Sequence, residues 1–223
     1  MITAAILAGG LGSRLRPVLI DRPKVLAPIA GKPFLIRLFN QLGAAGIRKV
    51  VLCTGYLAEQ IKSTVGEQFG SLRIHYSQET QPLGTAGSLR LALPLLDSDP
   101  VLVLNGDSYC SVDLSSFLEW HTQKKAVGSV LLAPCSDVSR FGCVTCLPGG
   151  QISHFSEKGT TGAGWINAGV YLLSKRLLLA IPEGRQVSLE YEIFSTWVGL
   201  GLFGYSEGGA FLDIGTPENY AKA

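Results

Sequence analysis

The sequence predicts an α/β protein: a mainly parallel, doubly wound sheet that gives way to a more β-rich second half. Three observations carry the expectation. Apolar runs alternate with helically spaced segments as far as Asp107, closely spaced strands and a Pro-Gly-Gly turn follow, and no repeat, linker or low-complexity stretch divides the chain. A βαβα order implies parallel strands, and such sheets bind ligands beyond the strands' carboxyl ends. One domain, residues 1–223, is expected.

Each element has its own signal. Residues 2–8 form a short apolar strand. "PFLIRLFNQLGAAGI" places Leu35, Leu38, Phe39 and Leu42 at a helical period. "KVVLCTG" is a buried strand, "YLAEQIKSTVGEQF" an amphipathic helix and "LRIHYSQ" another strand. "GTAGSLRLALPLL" is helical and closes near Pro94, and "PVLVLNGD" is a strand ending in polar residues. "GSVLLAPC", "RFGCVTCL" and "QISHFSE" read as β-ribbon, followed by "WINAGVYLL" and by a helix from Ser188, a plausible N-cap, to about Trp197.

Composition excludes several classes. Of 223 residues, 47 % are apolar and 16 % charged, which suits a compact protein rather than a disordered one. A formal charge of +2 is too small for a nucleic-acid coat, so any basic cluster must act locally. "MITAAILAGG" lacks the basic start of a signal peptide, and no apolar run approaches the about 20 residues of a membrane span. A cytoplasmic location is expected. Five cysteines, an odd number, make no disulfide framework. "CVTC" at 143–146 has metal or redox spacing, but in a strand positions i and i+3 face opposite sides, so its thiols should diverge. His75, His121 and His154 share no metal-binding or catalytic spacing and read as partly exposed structural residues.

"LAGGLGSRLRPVLIDRPKVLAPI" concentrates the chemistry. Gly9, Gly10 and Gly12 follow an apolar strand, and Arg14, Arg16, Arg22 and Lys24 follow them with only Asp21 opposed. A glycine-rich turn lets the chain approach a phosphate and aims N–H groups at it. It is not a P-loop, because Arg14 stands where a Gly-Lys pair would be needed. It is not a dinucleotide fingerprint, because the last glycine is replaced by Leu15 and "VVLCTG" lacks a terminal acid for a ribose.

The remaining pattern, AGGxGSRL followed by "RPK", resembles the signature of the sugar-phosphate nucleotidyltransferases. Within them it is most similar to the bacterial guanylyltransferases acting on D-glycero-D-manno-heptose 1-phosphate. "RPKVLAPI", "GKPFL", "PLGTAGSL", "LNGD", "INAGVYLL" and "FLDIGTPENY" fall in the family order over nearly the whole chain. The resemblance implies a Rossmann-like α/β/α sandwich forming one nucleotidyltransferase domain, with a β-rich sugar-binding half. It implies that a sugar 1-phosphate attacks the α-phosphorus of a nucleoside triphosphate, GTP favoured, and expels pyrophosphate. The nucleophile is already ionised, so positioning and charge neutralisation are what the protein must supply.

By the same resemblance, Leu7, Ala8, Gly9, Gly10, Gly12 and Ser13 cradle the triphosphate, and Arg14 supports its outer phosphates. Lys24 lies between the α-phosphate and the sugar phosphate, while the roles of Arg16 and Arg22 stay open. Asp107 and Asp213, each at a strand end, would hold Mg²⁺ with phosphate oxygens; Asp97 and Asp113 keep the ordinary reading of a turn or helix-cap aspartate. Glu79 would read the base, since a carboxylate accepts from guanine N1–H and N2–H₂, though it could also take uracil N3–H. Gln81 stands where several heptose enzymes carry a further acid. Gly84 and Thr85 would lie against the base, and Gly142, Glu157, Lys158 and Asn167 would meet the sugar phosphate.

No C-terminal β-helix or acetyltransferase domain is expected after "TPENYAKA", which argues against the bifunctional uridylyltransferases. Two alternatives remain at this point. One is another activated sugar, such as mannose or N-acetylmuramate, with GTP or UTP. The other is a non-catalytic sugar-nucleotide-binding regulator, for which the pair of aspartates would have little use. The expected partners are a nucleoside triphosphate and a sugar 1-phosphate, with neither nucleic acid nor membrane among them; a homo-oligomer stays open.

Overall fold

The computed structural model describes residues 1–15, 18–156 and 161–223. Among them ten strands share one mixed sheet. They are β1 (Thr3–Leu7), β2 (Lys49–Thr54), β3 (Gln68–Phe69), β4 (Leu72–Gln78), β5 (Val101–Asn105), β6 (Gly128–Cys135), β7 (Cys143–Cys146), β8 (Ile152–Ser156), β9 (Gly164–Leu173) and β10 (Leu202–Tyr205). The order is β8-β7-β9-β5-β1-β2-β4-β3, with β6 bonded to β9 and β10 to β6. The central strands β5, β1, β2 and β4 run parallel. β9 joins them antiparallel along β5 and also pairs with β6, while β7 and β8 form the expected ribbon.

Side chains alternate between two cores, as a period of two requires. Ala4 and Ile6 of β1, Val50 and Leu52 of β2, and Leu102 and Leu104 of β5 belong to one core. Ala5, Val51, Cys53, Val101 and Val103 belong to the other. Strands apolar on both faces must be covered on both faces. Helices α1 (Phe34–Ala44) and, beyond β5, Leu114–Lys124 cover the first with Leu35, Leu38, Phe39, Leu42 and Phe117. The helix Gly84–Ala92 and the segment Leu189–Trp197 cover the second with Ala86, Leu89, Leu189, Phe194 and Trp197. The result is the α/β/α sandwich that the resemblance implies.

Some boundaries differ from expectation. The helix expected from Tyr56 to Phe69 spans Ala58–Val65, because Gly66 at φ +71° closes it and Gln68–Phe69 then pair antiparallel with β4. The helix after Ser188 opens with a π turn, Leu189–Ile193, before Phe194–Trp197, and the Ser188 hydroxyl accepts from Tyr191 N–H at 3.2 Å. Asp113, expected as a turn or helix-cap residue, caps the helix Leu114–Lys124 by accepting from Ser115 N–H. Asp97 pairs with Lys49. Cys143 and Cys146 pack toward opposite cores, and all five cysteines are free. No helix among the described residues is long and apolar enough to cross a membrane.

His121 departs from its expected partial exposure. It is 5 % exposed, and its Nδ1 lies 2.8 Å from Ser129 Oγ. Burial pushes its pKa below the ordinary 6.5, with the Asp99 charge opposing. The unfolded chain therefore takes up a proton at a pH where the folded chain does not. The stability that neutral His121 contributes is present in full above about pH 6.5 and is lost as pH falls toward its depressed folded value. Denaturant unfolding should show a smaller loss of stability between about pH 7 and about pH 5.5 in His121→Gln than in the parent. Equal losses would remove His121 from the acid response.

Candidate active site

A cavity of about 1240 Å³ opens at the carboxyl ends of the parallel strands, where Leu7, Gly55, Glu79 and Asn105 mark the ends of β1, β2, β4 and β5. It is lined by Leu7, Ala8, Gly9, Gly10, Gly12, Ser13, Arg14, Lys24, Glu79, Gly84, Thr85, Asp107, Gly142, Asn167 and Asp213. Every sequence-selected site residue that the structure describes thus reaches one space. Glu157 and Lys158, together with Arg16, lie outside the described residues. Arg22 does not line this cavity; its guanidinium forks onto the neighbouring Asp21 with two 2.9 Å bonds.

The glycine-rich turn hangs between two neighbouring strands. Ala8 N–H donates to Cys53 O at 2.8 Å, and Gly106 N–H donates to Leu7 O at 2.9 Å. The amides of Gly9 to Ser13 donate to no acceptor among the described residues. Unpaired backbone donors in succession form an anion-binding concavity. Arg14 stands exposed at its end.

Beside the turn, where a Cβ on Gly12 would lie 3.7 Å from Lys24 Cβ, Lys24 Nζ lies 2.6 Å from Asp107 Oδ2, with the lysine side chain 12 % exposed. The strand-like segments Ser108–Cys110 and Phe211–Asp213 pair antiparallel, with Asp213 opposite Ser108 and Ile214 N–H donating to Asp107 O. This pairing brings the two aspartates together across the chain. Asp213 Oδ1 accepts from Gly215 N–H at 2.7 Å and Oδ2 from Asn219 Nδ2 at 3.0 Å, so each oxygen keeps a lone pair. Hard carboxylate oxygens beside a phosphate cradle fit Mg²⁺, which is commonly held by one or two carboxylates and substrate phosphates. Among the described residues no three His, Cys, Asp or Glu side chains gather into a full cage.

Glu79 is more engaged than its sequence context indicated. Its Oε2 accepts from Ser88 Oγ at 2.6 Å and from Leu83 N–H at 3.2 Å, tying β4 to the start of the helix Gly84–Ala92. Its other oxygen packs on Gly55, where an added Cβ would sit 2.7 Å away. Gly84, at φ +71°, has a second constraint: a Cβ there would lie 2.4 Å from Val187 O. The glycine therefore also makes room for the backbone of Val187.

At the other end, Asn167 Oδ1 accepts from Gly169 N–H at 2.9 Å and its Nδ2 donates to Tyr171 OH at 3.0 Å. One amide hydrogen and one lone pair remain for a ligand. Phe141 and Phe211, with ring centroids 6.0 Å apart, add an apolar wall to this end. Glu190, Asn105 and Gly55 also line the cavity and were not selected from the sequence. Asn105 Oδ1 is buried without a partner among the described residues, an acceptor that a ligand donor would satisfy.

Residues 3–223 match the family model described as nucleotidyl transferase. The chain belongs to the nucleotidyl transferase family. This nucleotidyl transferase is 37 % identical over 221 residues to D-glycero-alpha-D-manno-heptose 1-phosphate guanylyltransferase of Aneurinibacillus thermoaerophilus, covering 99 % of the chain and 96 % of that relative. It is 34 % identical to mannose-1-phosphate guanylyltransferase of Mycobacterium tuberculosis, covering 99 % of the chain but 63 % of that relative. The crystal structure of HddC from Yersinia pseudotuberculosis complexed with GMP-PN superposes on the nucleotidyl transferase with a TM-score of 0.87 at 32 % identity, covering 100 % of the chain and 98 % of HddC.

Proposed function

We propose that this nucleotidyl transferase is a guanylyltransferase that joins GTP to D-glycero-α-D-manno-heptose 1-phosphate, releasing pyrophosphate. The observation that carries the reading is the meeting of Lys24, Asp107 and Asp213 beside the turn Gly9–Ser13, whose amides find no acceptor among the described residues, in one cavity. That arrangement suits two polyanions brought face to face. The choice of heptose over mannose rests on the relatives: the heptose enzyme is matched along 96 % of its length, the mannose enzyme along 63 %.

In the reaction an oxygen of the sugar phosphate forms a bond to the α-phosphorus. The bond from that phosphorus to the oxygen bridging to the β-phosphate breaks, and pyrophosphate carries away the electron pair. No proton needs to move. The turn Gly9–Ser13 holds the triphosphate through N–H donors, and Arg14 meets its outer phosphates. Lys24 exchanges part of its pairing with Asp107 for the phosphates as they approach. Asp107 and Asp213 would hold Mg²⁺, which when bound offsets phosphate charge and favours departure of pyrophosphate. Glu79 accepts from the base, Gly84 and Thr85 border it, and Asn167 and Gly142 border the sugar. Glu157 and Lys158 complete the sugar-phosphate side. The enzyme works in the cytoplasm, with no nucleic acid or membrane as partner.

A matrix of nucleoside triphosphates against sugar 1-phosphates, assayed for pyrophosphate release with Mg²⁺, tests the reading. GTP with the heptose phosphate should give the highest kcat/KM. A maximum with mannose 1-phosphate would replace the sugar, and no release with any pair would refute the enzyme assignment. Glu79→Gln should narrow the preference for GTP over UTP by roughly ten- to a hundredfold, since a hydrogen bond to a charged acceptor contributes about 1.5–3 kcal/mol. An unchanged donor ranking would leave Glu79 as a support for the helix Gly84–Ala92 alone.

A further inference from the structure

Glu190 comes from the π turn Leu189–Ile193, and both of its carboxylate oxygens face hydroxyl donors within the protein. Oε2 accepts from Thr85 Oγ1 at 2.7 Å and from Ser188 Oγ at 3.1 Å. Oε1 lies 3.5 Å from the hydroxyl of Tyr171. Thr85 and Asn167 lie at the two ends of the cavity assigned above to base and sugar, and Tyr171 is the hydroxyl on which Asn167 rests. A continuous path therefore runs Thr85–Glu190–Tyr171–Asn167.

We propose that Glu190 is a positioning residue that couples the nucleotide loop at Thr85 to the sugar floor at Tyr171 and Asn167. The proposal rests on the guanylyltransferase reading for the identity of the two ends. Its direction follows from the donors. Tyr171 is fully buried, and burial together with the Glu190 charge raises its phenol well above the ordinary value. It therefore stays protonated and needs an acceptor: Glu190 offers a charged one, the Asn105 amide is also beside it, and the Asp107 charge acts on it more weakly than Glu190. The Thr85 hydroxyl accepts from Leu189 N–H at 2.8 Å while donating to Glu190, so its rotamer is set from both sides. The same segment holds the loop through its backbone: Ala86 N–H donates to Val187 O at 3.0 Å, and Val187 N–H donates to Leu83 O at 2.8 Å. A carboxylate accepting from both sides lets order at one end reduce the disorder left to remove at the other.

The test uses the full chain with Glu190→Ala, Glu190→Gln, Thr85→Val, Tyr171→Phe and the double variant Thr85→Val/Glu190→Ala. Steady-state kinetics should show Glu190→Ala raising KM for both GTP and sugar phosphate by about tenfold or more, with Glu190→Gln recovering part of each. Tyr171→Phe, altered only at the sugar end, should weaken GTP binding measured by calorimetry in the absence of sugar. The double variant should cost less than the sum of its two single variants, because the Thr85–Glu190 bond is lost in both while Thr85→Val also removes the acceptor of Leu189 N–H. A lower Tm with both KM values unchanged, or additive effects each confined to one substrate, would overturn the coupling. If Glu190→Ala fails to fold, the Glu190→Gln and Tyr171→Phe variants carry the same comparison. If the parent protein releases no pyrophosphate with any substrate pair, the guanylyltransferase reading falls, and hydrogen exchange of the ligand-free protein still decides the relay. Faster exchange at the amides of Ala86 and Gly87 in Tyr171→Phe supports it; unchanged exchange there overturns it.

Discussion

Lys24→Ala is expected to lose about a hundredfold or more in kcat, the range seen when one donor to transition-state charge is deleted, with a smaller rise in KM for GTP. The reason is where its charge is spent. In the resting protein Lys24 is held 2.6 Å from Asp107, and it lies 3.2 Å from the point where a Cβ on Gly215 would stand, beside Asp213. Its charge is therefore already balanced before substrates arrive. An interaction that strengthens only as two phosphates converge lowers kcat when removed, whereas one present throughout raises KM. Arg14, exposed and outside that pair, should show the contrast: Arg14→Ala should lose a larger share of its activity in KM. Steady-state kinetics with GTP varied separates the two. A Lys24→Ala enzyme with near-normal kcat and a KM raised a hundredfold would make Lys24 a binding residue only.

Asp107→Asn and Asp213→Asn should each abolish Mg²⁺-dependent turnover while leaving the fold intact, but they should fail differently. Asp107→Asn also strips the partner from a mostly buried ammonium group, so added Mg²⁺ should not rescue it. Asn at 213 can still accept from Gly215 N–H, while the bond from Asn219 requires that amide to turn. Its loss should therefore be relieved in part as Mg²⁺ is raised. Mg²⁺ titrations of activity, with circular dichroism to verify folding, check both. Full activity in either variant at ordinary Mg²⁺ would remove that residue from the metal assignment.

The parts of the fold that were legible in sequence are those whose pattern is local. The runs in β1, β2 and β5 are apolar on both faces and bounded by polar ends, so they read as buried strands and are found as such. The helix Leu114–Lys124 was not read from the sequence: only Leu114, Phe117 and His121 are buried, one of them a histidine, and polar Ser115–Ser116 and Thr122–Lys124 flank its short apolar middle. The end of the helix at Val65 turned on one glycine, Gly66, which a helical period alone does not weigh. Gly9, Gly10, Gly12, Ser13, Lys24, Asp107 and Asp213 were selected through motifs that resemble the family's, and they line one cavity. Glu190 was missed because its partner Thr85 is 105 residues away and no spacing joins them. Gly55 was missed for a similar reason: the Glu79 side chain that crowds it comes from another strand.

The pairing of Phe211–Asp213 with Ser108–Cys110 also governs when the protein becomes competent as it is made. Gly9 to Ser13, Lys24 and Asp107 precede the returning segment, and Asp213 is synthesised 106 residues after Asp107 (213 − 107). Closing so long a loop adds an entropic cost that grows only slowly with its length but must be met before the contact is formed. A nascent or C-terminally clipped chain can therefore assemble the parallel core and the phosphate turn yet lack the second carboxylate. On the site proposed above, such a chain would hold nucleotide without spending it, and activity would wait for this long-range pairing rather than for formation of the nucleotide half.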